Sequence, residues 1–411
     1  MGLRIFISAG EASGEHYGAL LIHALQGQLS ATGETASFFG MGGERMVTAG
    51  LDRVVRAEDM AVMGITEVVR HLPRIYGEYR KLKRAVQTHK PDVAILIDFP
   101  DIHLKLAAEF HRLGVPVIFF VSPQLWAWKK GRIKQVQKYV SKMLVIFPFE
   151  EPFYRERGVQ AEFVGHPLAE LPLPKISRRQ FAFDHHLDPA TTWIALLPGS
   201  RPKEIRDNLP EMLEAAWTLV EHFWPHRREY RFLVPLAPTL NRDQRQEVRA
   251  LLEKRGDGLP ILVVDDARAA LYHARISVVA SGTATVEAAL IGNPFIVVYR
   301  VSPLTYAIAK RVVTVPHVAM ANLIAGKRVV PELIQNDFTA ANIVQQIELL
   351  LPDGPPRESM MRGLREVGRS LRARQTGSFG ERLGAIDRVA AVALELLGTA
   401  QPVPVHSVVQ S

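Results

Sequence analysis

Short, almost continuously apolar runs alternate along the chain with longer segments whose apolar residues recur every three or four positions. In the first half the runs are Arg4–Ala9, Ser37–Phe39, Val93–Asp98, Val117–Val121 and Met143–Phe147. In the second they are Trp193–Leu197, Arg231–Pro235, Ile261–Val264, Ile276–Ala280 and Phe295–Tyr299. Continuous rather than alternating apolarity is what strands buried on both faces require. Between them, Ser13–Leu29 and Leu104–Leu113 carry helical spacing, the latter closed by Gly114. The alternation predicts βαβ units and parallel sheets, an α/β fold class.

The pattern pauses near Gly165-His166-Pro167, and Leu171-Pro172-Leu173-Pro174 reads as a stiff, extended connector. It then restarts, so the expectation is two Rossmann-like domains, residues 1–170 and 171–355, facing each other across a cleft. Beyond Pro352 the composition shifts to a helical segment over 356–397, with a weak point at Thr376-Gly377-Ser378, and a frayed tail over 398–411. Ligands of such sheets sit outside the carboxyl ends of the strands, so the strand-to-helix turns are expected to carry the chemistry.

Composition narrows the function classes. A chain of 411 residues exceeds the usual size of one core, and 22% charged with 47% hydrophobic residues describes an ordinary globular protein. With 0 cysteines there are no disulfides, thiol nucleophiles or iron–sulfur clusters, which fits a reducing cytoplasm. No charged leader precedes the first strand and no apolar run approaches the ~18 residues of a membrane span, so a cytoplasmic protein is expected. The net charge of +8 favours anionic partners: phosphate groups, nucleic acid or an acidic membrane surface.

Six turns are candidates for chemistry. Gly10-Glu11-Ala12-Ser13-Gly14 follows the first strand; it is neither a dinucleotide fingerprint nor a Walker motif, and a tight structural turn accounts for it as well as a ligand does. Gly40-Met41-Gly42-Gly43 holds more glycine than a turn needs, which permits close approach of a substrate. In Asp98-Phe99-Pro100-Asp101, Asp98 is the candidate general base, and Asp101 is read as the cap of a helix starting near Ile102. The loop Ser122 to Lys130 combines Ser122 and Gln124 with Trp126 and Trp128, surfaces that suit a sugar or acyl group, although the indoles equally fill a crevice. Pro198-Gly199-Ser200-Arg201 offers backbone amides and a fixed cation to a pyrophosphate. Ser281-Gly282-Thr283 opens a helix of small residues whose amides can take a diphosphate, and Glu287, one turn on, can accept from ribose hydroxyls. No zinc-protease, serine-hydrolase or Walker motif is present, nor the Asp-x-Asp of metal-dependent sugar transferases.

Taken in order, these turns resemble the lipid-A-disaccharide synthase family over nearly the whole chain. The resemblance rests on Ser8 through Gly14, Ala61 through Val68, Val121 through Trp128, Phe147 through Glu150, Gly165-His166-Pro167, Leu196 through Arg201 and Ala280 through Glu287. Val298-Tyr299-Arg300 and Asn322 through Gly326 complete it. It implies a GT-B fold with a C-terminal helix returning to the N-terminal domain. It implies an inverting transfer from UDP-2,3-diacylglucosamine to 2,3-diacylglucosamine 1-phosphate (lipid X), with no cofactor and no metal. Asp98 becomes the base, Arg201 and the Ser281–Thr283 turn the diphosphate site, Glu287 the nucleotide carboxylate and Asn322 a cleft residue. Members can form homodimers that exchange C-terminal domains, so a homodimer is an expected partner state; a nucleic acid is not. Two positions depart from the family's usual pattern: His103 stands where Asn is common and Glu15 where Asp is.

A lipid substrate gives meaning to Val62–Arg84, where Ile65, Val68, Val69, Leu72 and Ile75 share helical spacing amid Arg and Lys. Such a helix either lies on an anionic membrane or packs on the sheet with a solvated basic face. The former reading expects peripheral association with the cytoplasmic face of the inner membrane. Two rivals stand beside the transferase: a UDP-N-acetylglucosamine 2-epimerase, which needs no acceptor, and a binding protein without catalysis.

Overall fold

The computed structural model describes residues 2–60, 65–128, 130–222, 230–302, 306, 310, 315–372 and 383–398, with the backbone alone at 65–72, 130 and 222. Two compact units divide the chain: Met1–Glu170 with Leu371–Ser411, and Leu171–Ser370.

The first unit is built on a parallel sheet of β1 (Leu3–Ala9), β2 (Ala36–Gly42), β3 (Leu51–Arg56), β4 (Val93–Ile97), β5 (Val117–Phe120), β6 (Lys142–Val145) and β7 (Ala161–Phe163). Their spatial order is β3-β2-β1-β4-β5-β6-β7. Successive side chains of a strand point to opposite faces, and the core divides accordingly. Ile5, Ile7 and Ala9 of β1, with Ile95 and Ile97 of β4, enter one apolar cluster. Phe6, Ala94 and Leu96 enter the other, against helix Pro100–Arg112 and the end of helix Ile65–His89. Ser8 shares the Phe6 face and is fully buried, a polar position in an otherwise apolar strand.

The C-terminal helix Ala385–Leu396 completes the first cluster. Ile386, Val389, Ala390, Ala393 and Leu394 repeat at helical spacing and are buried there with Leu21, Leu25 and Leu29 of helix Ala12–Ala31. Gln28 Nε2 donates to the Asp387 carbonyl at 3.2 Å, and the Ala385 amide donates to the Glu170 carboxylate. The helix Pro355–Ser370, expected to return with it, lies instead in the second unit. Arg357 anchors it there, donating to the carbonyls of Arg275 and Leu350 at 2.9 and 3.1 Å, and Gly363 admits the Val329 side chain. The return therefore begins after Ser370.

The second unit repeats the plan with β8 (Thr192–Leu197), β9 (Tyr230–Pro235), β10 (Ile261–Val264), β11 (Ile276–Ala280), β12 (Phe295–Tyr299) and β13 (Glu332–Ile334) in the order β10-β9-β8-β11-β12-β13, all parallel. The strands that apolar runs did not reveal are β3, β7 and β13, each at a sheet edge. An edge strand has one paired neighbour and less cover, so its sequence is shorter or mixed, as in Leu51–Arg56 and the three-residue Ala161–Phe163 and Glu332–Ile334. No helix among the described residues is long and apolar enough to cross a membrane.

Candidate active site

In an open parallel sheet the chain leaves the first strand toward one edge and later returns to the other side of it, and a crevice opens at the carboxyl ends of the two strands flanking that switch. The switch falls between β1 and β4 in the first unit and between β8 and β11 in the second. Gly10 and Asp98 follow β1 and β4; the Pro198–Arg201 and Ser281–Thr283 turns follow β8 and β11.

Asp98 has its backbone in the left-handed region, φ 52°, and so does Phe99, at φ 51° and ψ 57°. Each non-glycine residue held there costs roughly 1–3 kcal/mol, and Phe99, preceding a proline, would ordinarily be extended. The turn is held by hydrogen bonds on every side. The Asp98 amide donates to the Phe120 carbonyl at 2.9 Å, the His103 amide donates to the Phe99 carbonyl at 3.2 Å, and His103 Nδ1 lies 2.6 Å from the Asp98 carbonyl. That carbonyl can only accept, so Nδ1 bears the ring proton; Nε2 then accepts from Ser8 Oγ at 2.8 Å. Burial pushes His103 down to about 4, which keeps the ring neutral. Burial, with the nearby Glu11 carboxylate, pushes Asp98 up to about 6.

The Phe99 ring lies over Gly10, where a Cβ would fall 2.4 Å from it. Gly10 is therefore closed over by the protein itself rather than open to a substrate. Two glycines of the turn after β2 are closed over likewise: a Cβ on Gly42 would meet Met46 Sδ at 2.6 Å, and one on Gly43 the Glu15 carboxylate at 2.3 Å. Glu15 in turn accepts from the Arg45 amide at 2.9 Å and so holds that loop. Ser13 is half-buried in the first helix turn, and Gly14 packs at ordinary contact distance on Ala9 and Ile97. Asp101 does not cap the helix, which starts one residue earlier at Pro100; its carboxylate pairs with Arg132.

The loop after β5 turns inward. Ser122 Oγ and Trp126 Nε1 donate to one oxygen of the buried Glu150 at 2.6 and 2.9 Å, and the Phe147 amide donates to the other at 3.1 Å. Trp126 packs edge-on to Phe149 at 5.0 Å. Ser122 and Trp126 thus do not face solvent as a sugar platform would; Gln124 and Trp128, the latter 42% exposed, do. Glu150 has no cation beside it among the described residues, and burial pushes it up to about 7 despite its donors.

In the second unit, Gly282 (φ 152°) precedes helix Thr283–Ile291, which starts without a side-chain cap; Gly282 and Thr283 are exposed and Ser281 half-exposed. Glu287 faces Arg268 at 3.6 Å, and burial raises its carboxyl while Arg268 opposes the rise. The β8 turn is less open than its sequence implied. Gly199, at φ 131°, leaves room for Glu204, whose carboxylate accepts from the Ser200 amide at 3.1 Å and from Arg201 at 3.0 Å. An incoming phosphate takes the Ser200 amide only by displacing Glu204. Asn322 is fully buried: Nδ2 donates to the Val330 carbonyl and to Glu332 at 2.9 and 2.8 Å, while Oδ1 accepts from the Val329 and Val330 amides at 2.6 and 2.9 Å. Its polar atoms serve the scaffold, not a ligand.

Ile75, expected on a membrane face, is half-buried and packs with Leu82 and Val86 against the first unit's core. The side chains of Ile65, Val68, Val69 and Leu72 lie outside the described residues. Sequence reasoning gave no role to Ser8, His103, Glu150, Glu204 or Arg268. The available signal was a polar residue at a position whose strand or helix face is otherwise apolar, as at Ser8 and His103.

Residues 5–379 match the sequence family described as LpxB: Lipid-A-disaccharide synthetase. The chain is similar to the lipid-A-disaccharide synthase of Acidobacterium capsulatum, with 63% identity over 402 residues, 96% of each chain. Among solved structures, the glycosyltransferase of kitacinnamycin aligns with a TM-score of 0.61 at 15% identity, covering 96% of this chain and 99% of that one. A UDP-N-acetylglucosamine 2-epimerase described from Listeria monocytogenes aligns with a TM-score of 0.56 at 12% identity, covering 98% and 99%. At these identities the structural likeness establishes the GT-B-type fold of two parallel-sheet, Rossmann-like domains and nothing finer.

Proposed function

This chain belongs to the lipid-A-disaccharide synthase family, and on that premise we propose that it joins UDP-2,3-diacylglucosamine to 2,3-diacylglucosamine 1-phosphate with inversion. Membership makes it a UDP-sugar-dependent glycosyltransferase that forms the lipid A disaccharide. The finer reading is carried by Asp98: a carboxylate at a sheet switch point, pushed up to about 6, remains mainly ionised at neutral pH yet is basic enough to accept a proton.

Asp98 takes the proton of the acceptor's 6-hydroxyl as that oxygen bonds to the donor's anomeric carbon from the face opposite the diphosphate. The bond from that carbon to the phosphate oxygen breaks, its electron pair leaves with UDP, and an α linkage becomes β. The amides at the start of helix Thr283–Ile291 and the Arg201 guanidinium, once Glu204 yields, meet the charge on the leaving diphosphate. Glu287, oriented by Arg268, accepts from the ribose hydroxyls.

Incubation with both acylated substrates in EDTA, followed by mass spectrometry, tests the reading. Disaccharide 1-phosphate and UDP in equal amounts support it, and their absence with either substrate omitted is required. An isomerised UDP-sugar formed without acceptor would refute it.

The acyl chains have to be reached from a membrane, and helix Ile65–His89 is the proposed contact. Tyr76 on it is 62% exposed, and Arg80 and Arg84 add to its positive charge, whereas Lys81 and Lys83 are paired with Glu78 and Glu109 at 2.8 and 2.6 Å. Polar substitution of Val68, Val69 and Leu72 lowers binding to anionic liposomes if the contact is real; unchanged binding returns the helix to a packing role.

A further inference from the structure

We propose that His103 is a positioning residue for the transfer: its Nδ1–H clamps the Asp98 carbonyl and so fixes the left-handed turn that presents the Asp98 carboxylate, with Ser8 satisfying the ring's other nitrogen. The proposal rests on Asp98 being the base and adds how the chain holds it.

The argument starts from the backbone. Two consecutive non-glycine residues, Asp98 and Phe99, occupy the left-handed region, where an L side chain crowds its own backbone. A turn of that kind relaxes toward the extended region unless its surroundings over-determine it. Relaxation about Asp98 would swing its side chain away from the crevice between β1 and β4 and turn its carbonyl. The Asp98 and His103 amides hold the two ends of the turn, and the side-chain contact that holds the Asp98 carbonyl itself is the 2.6 Å bond from His103 Nδ1.

That bond requires one particular protonation pattern. A ring with its proton on Nε2 would point the Nδ1 lone pair at the carbonyl and repel it. The Asp98 carbonyl, which can only accept, therefore selects the ring with its proton on Nδ1, and the Ser8 hydroxyl, 2.8 Å from Nε2, donates to the nitrogen left over. Ser8 and His103 are both fully buried, so water does not substitute for either partner. The ring is further packed edge-on to Phe99 and Phe119 at 5.7 and 6.2 Å. The groups facing it are thus one hydroxyl, one carbonyl and two aromatic edges, and none of them is charged.

The experiment compares two amides. An asparagine side-chain nitrogen at this position overlays imidazole Nδ1, and a glutamine nitrogen overlays Nε2, so His103→Asn keeps the donor to the Asp98 carbonyl and His103→Gln removes it. With UDP-2,3-diacylglucosamine and 2,3-diacylglucosamine 1-phosphate as substrates, His103→Gln lowers kcat by ~10–10²-fold with little change in KM, the order of loss that a misplaced reacting group gives. His103→Asn recovers most of the rate. Circular dichroism and thermal unfolding show that both variants fold. In His103→Gln the acidic limb of the kcat/KM profile moves down from about 6 toward the ordinary carboxylate range, because the released carboxylate reaches water. In an Asp98→Ala background, His103→Gln adds no further loss. Equal rates for the two amide variants, an unmoved acidic limb, or independent losses in the double variant each overturn the proposal. The failures separate: Asp98→Ala with near-normal turnover refutes the base assignment, and a defective Asp98→Ala beside a fully active His103→Gln refutes the clamp alone.

Discussion

Replacing Glu150 by glutamine isolates a buried charge whose contribution can be worked through. The carboxylate is 1% exposed, has no cation beside it among the described residues, and accepts from Ser122, Trp126 and the Phe147 amide. Burial outweighs these donors and moves its pKa from 4.5 to about 7. Below 4.5 both folded and unfolded chains hold the proton and the group costs nothing extra. As pH rises, the unfolded chain releases its proton first, so the folded state loses stability until its own carboxyl ionises near 7. The gap corresponds to about 3 kcal/mol at full ionisation, of which roughly 2–3 kcal/mol falls between about pH 5 and about pH 8. Glutamine does not titrate, but its NH2 must face either Ser122 and Trp126 or the Phe147 amide and so leaves an N–H donor unpaired, at roughly 1–3 kcal/mol. The variant should therefore be less stable than the parent at about pH 5, with the difference closing by roughly 2–3 kcal/mol at about pH 8. Hydrogen exchange of residues 117–128 under increasing urea, corrected for the intrinsic pH dependence of amide exchange, reads the first unit alone. Parallel pH dependences for parent and variant would refute the reasoning, since Glu150 would then be ionised or neutral throughout.

Three further outcomes are expected. Activity of the parent, measured as kcat/KM, should fall as pH drops below about 6, because Asp98 must be ionised to accept a proton; Asp98→Asn should lose ~10²–10⁴-fold with the limb abolished. Asn322→Leu strands the Val329 and Val330 amides and the Val330 carbonyl and should lower second-unit stability by roughly 2–4 kcal/mol, whereas UDP affinity of the folded fraction, measured calorimetrically, should change little. Leu394→Ala, in the C-terminal helix, should cost roughly 2–5 kcal/mol in the unfolding of the first unit; a loss confined to the second unit would contradict its place in that core.

The alternation of apolar runs and helical spacing specified two parallel sheets because strands buried on both faces leave a continuous imprint. It left β3, β7 and β13 unseen, because edge strands with short or mixed sequences leave none; the edge strand β10, four apolar residues, was legible. The turns at Asp98, Pro198–Arg201 and Ser281–Thr283 were legible as candidates, since glycine, proline and a charge after a strand are local features. What those turns present to a ligand was not local. Gly10 and Gly42 are closed by Phe99 and Met46, Trp126 and Ser122 are turned onto Glu150, the Ser200 amide is taken by Glu204, and Asn322 is spent on the scaffold. Each of these partners is set by packing of segments that the pattern of one turn does not contain. Residue type and spacing determine which chemistry a position can perform. Only the tertiary structure decides whether its polar atoms are left over to perform it, because burial and competing hydrogen bonds are properties of neighbours. His103 is the clearest case: a departure from a pattern in the sequence, and in the structure the group that holds Asp98.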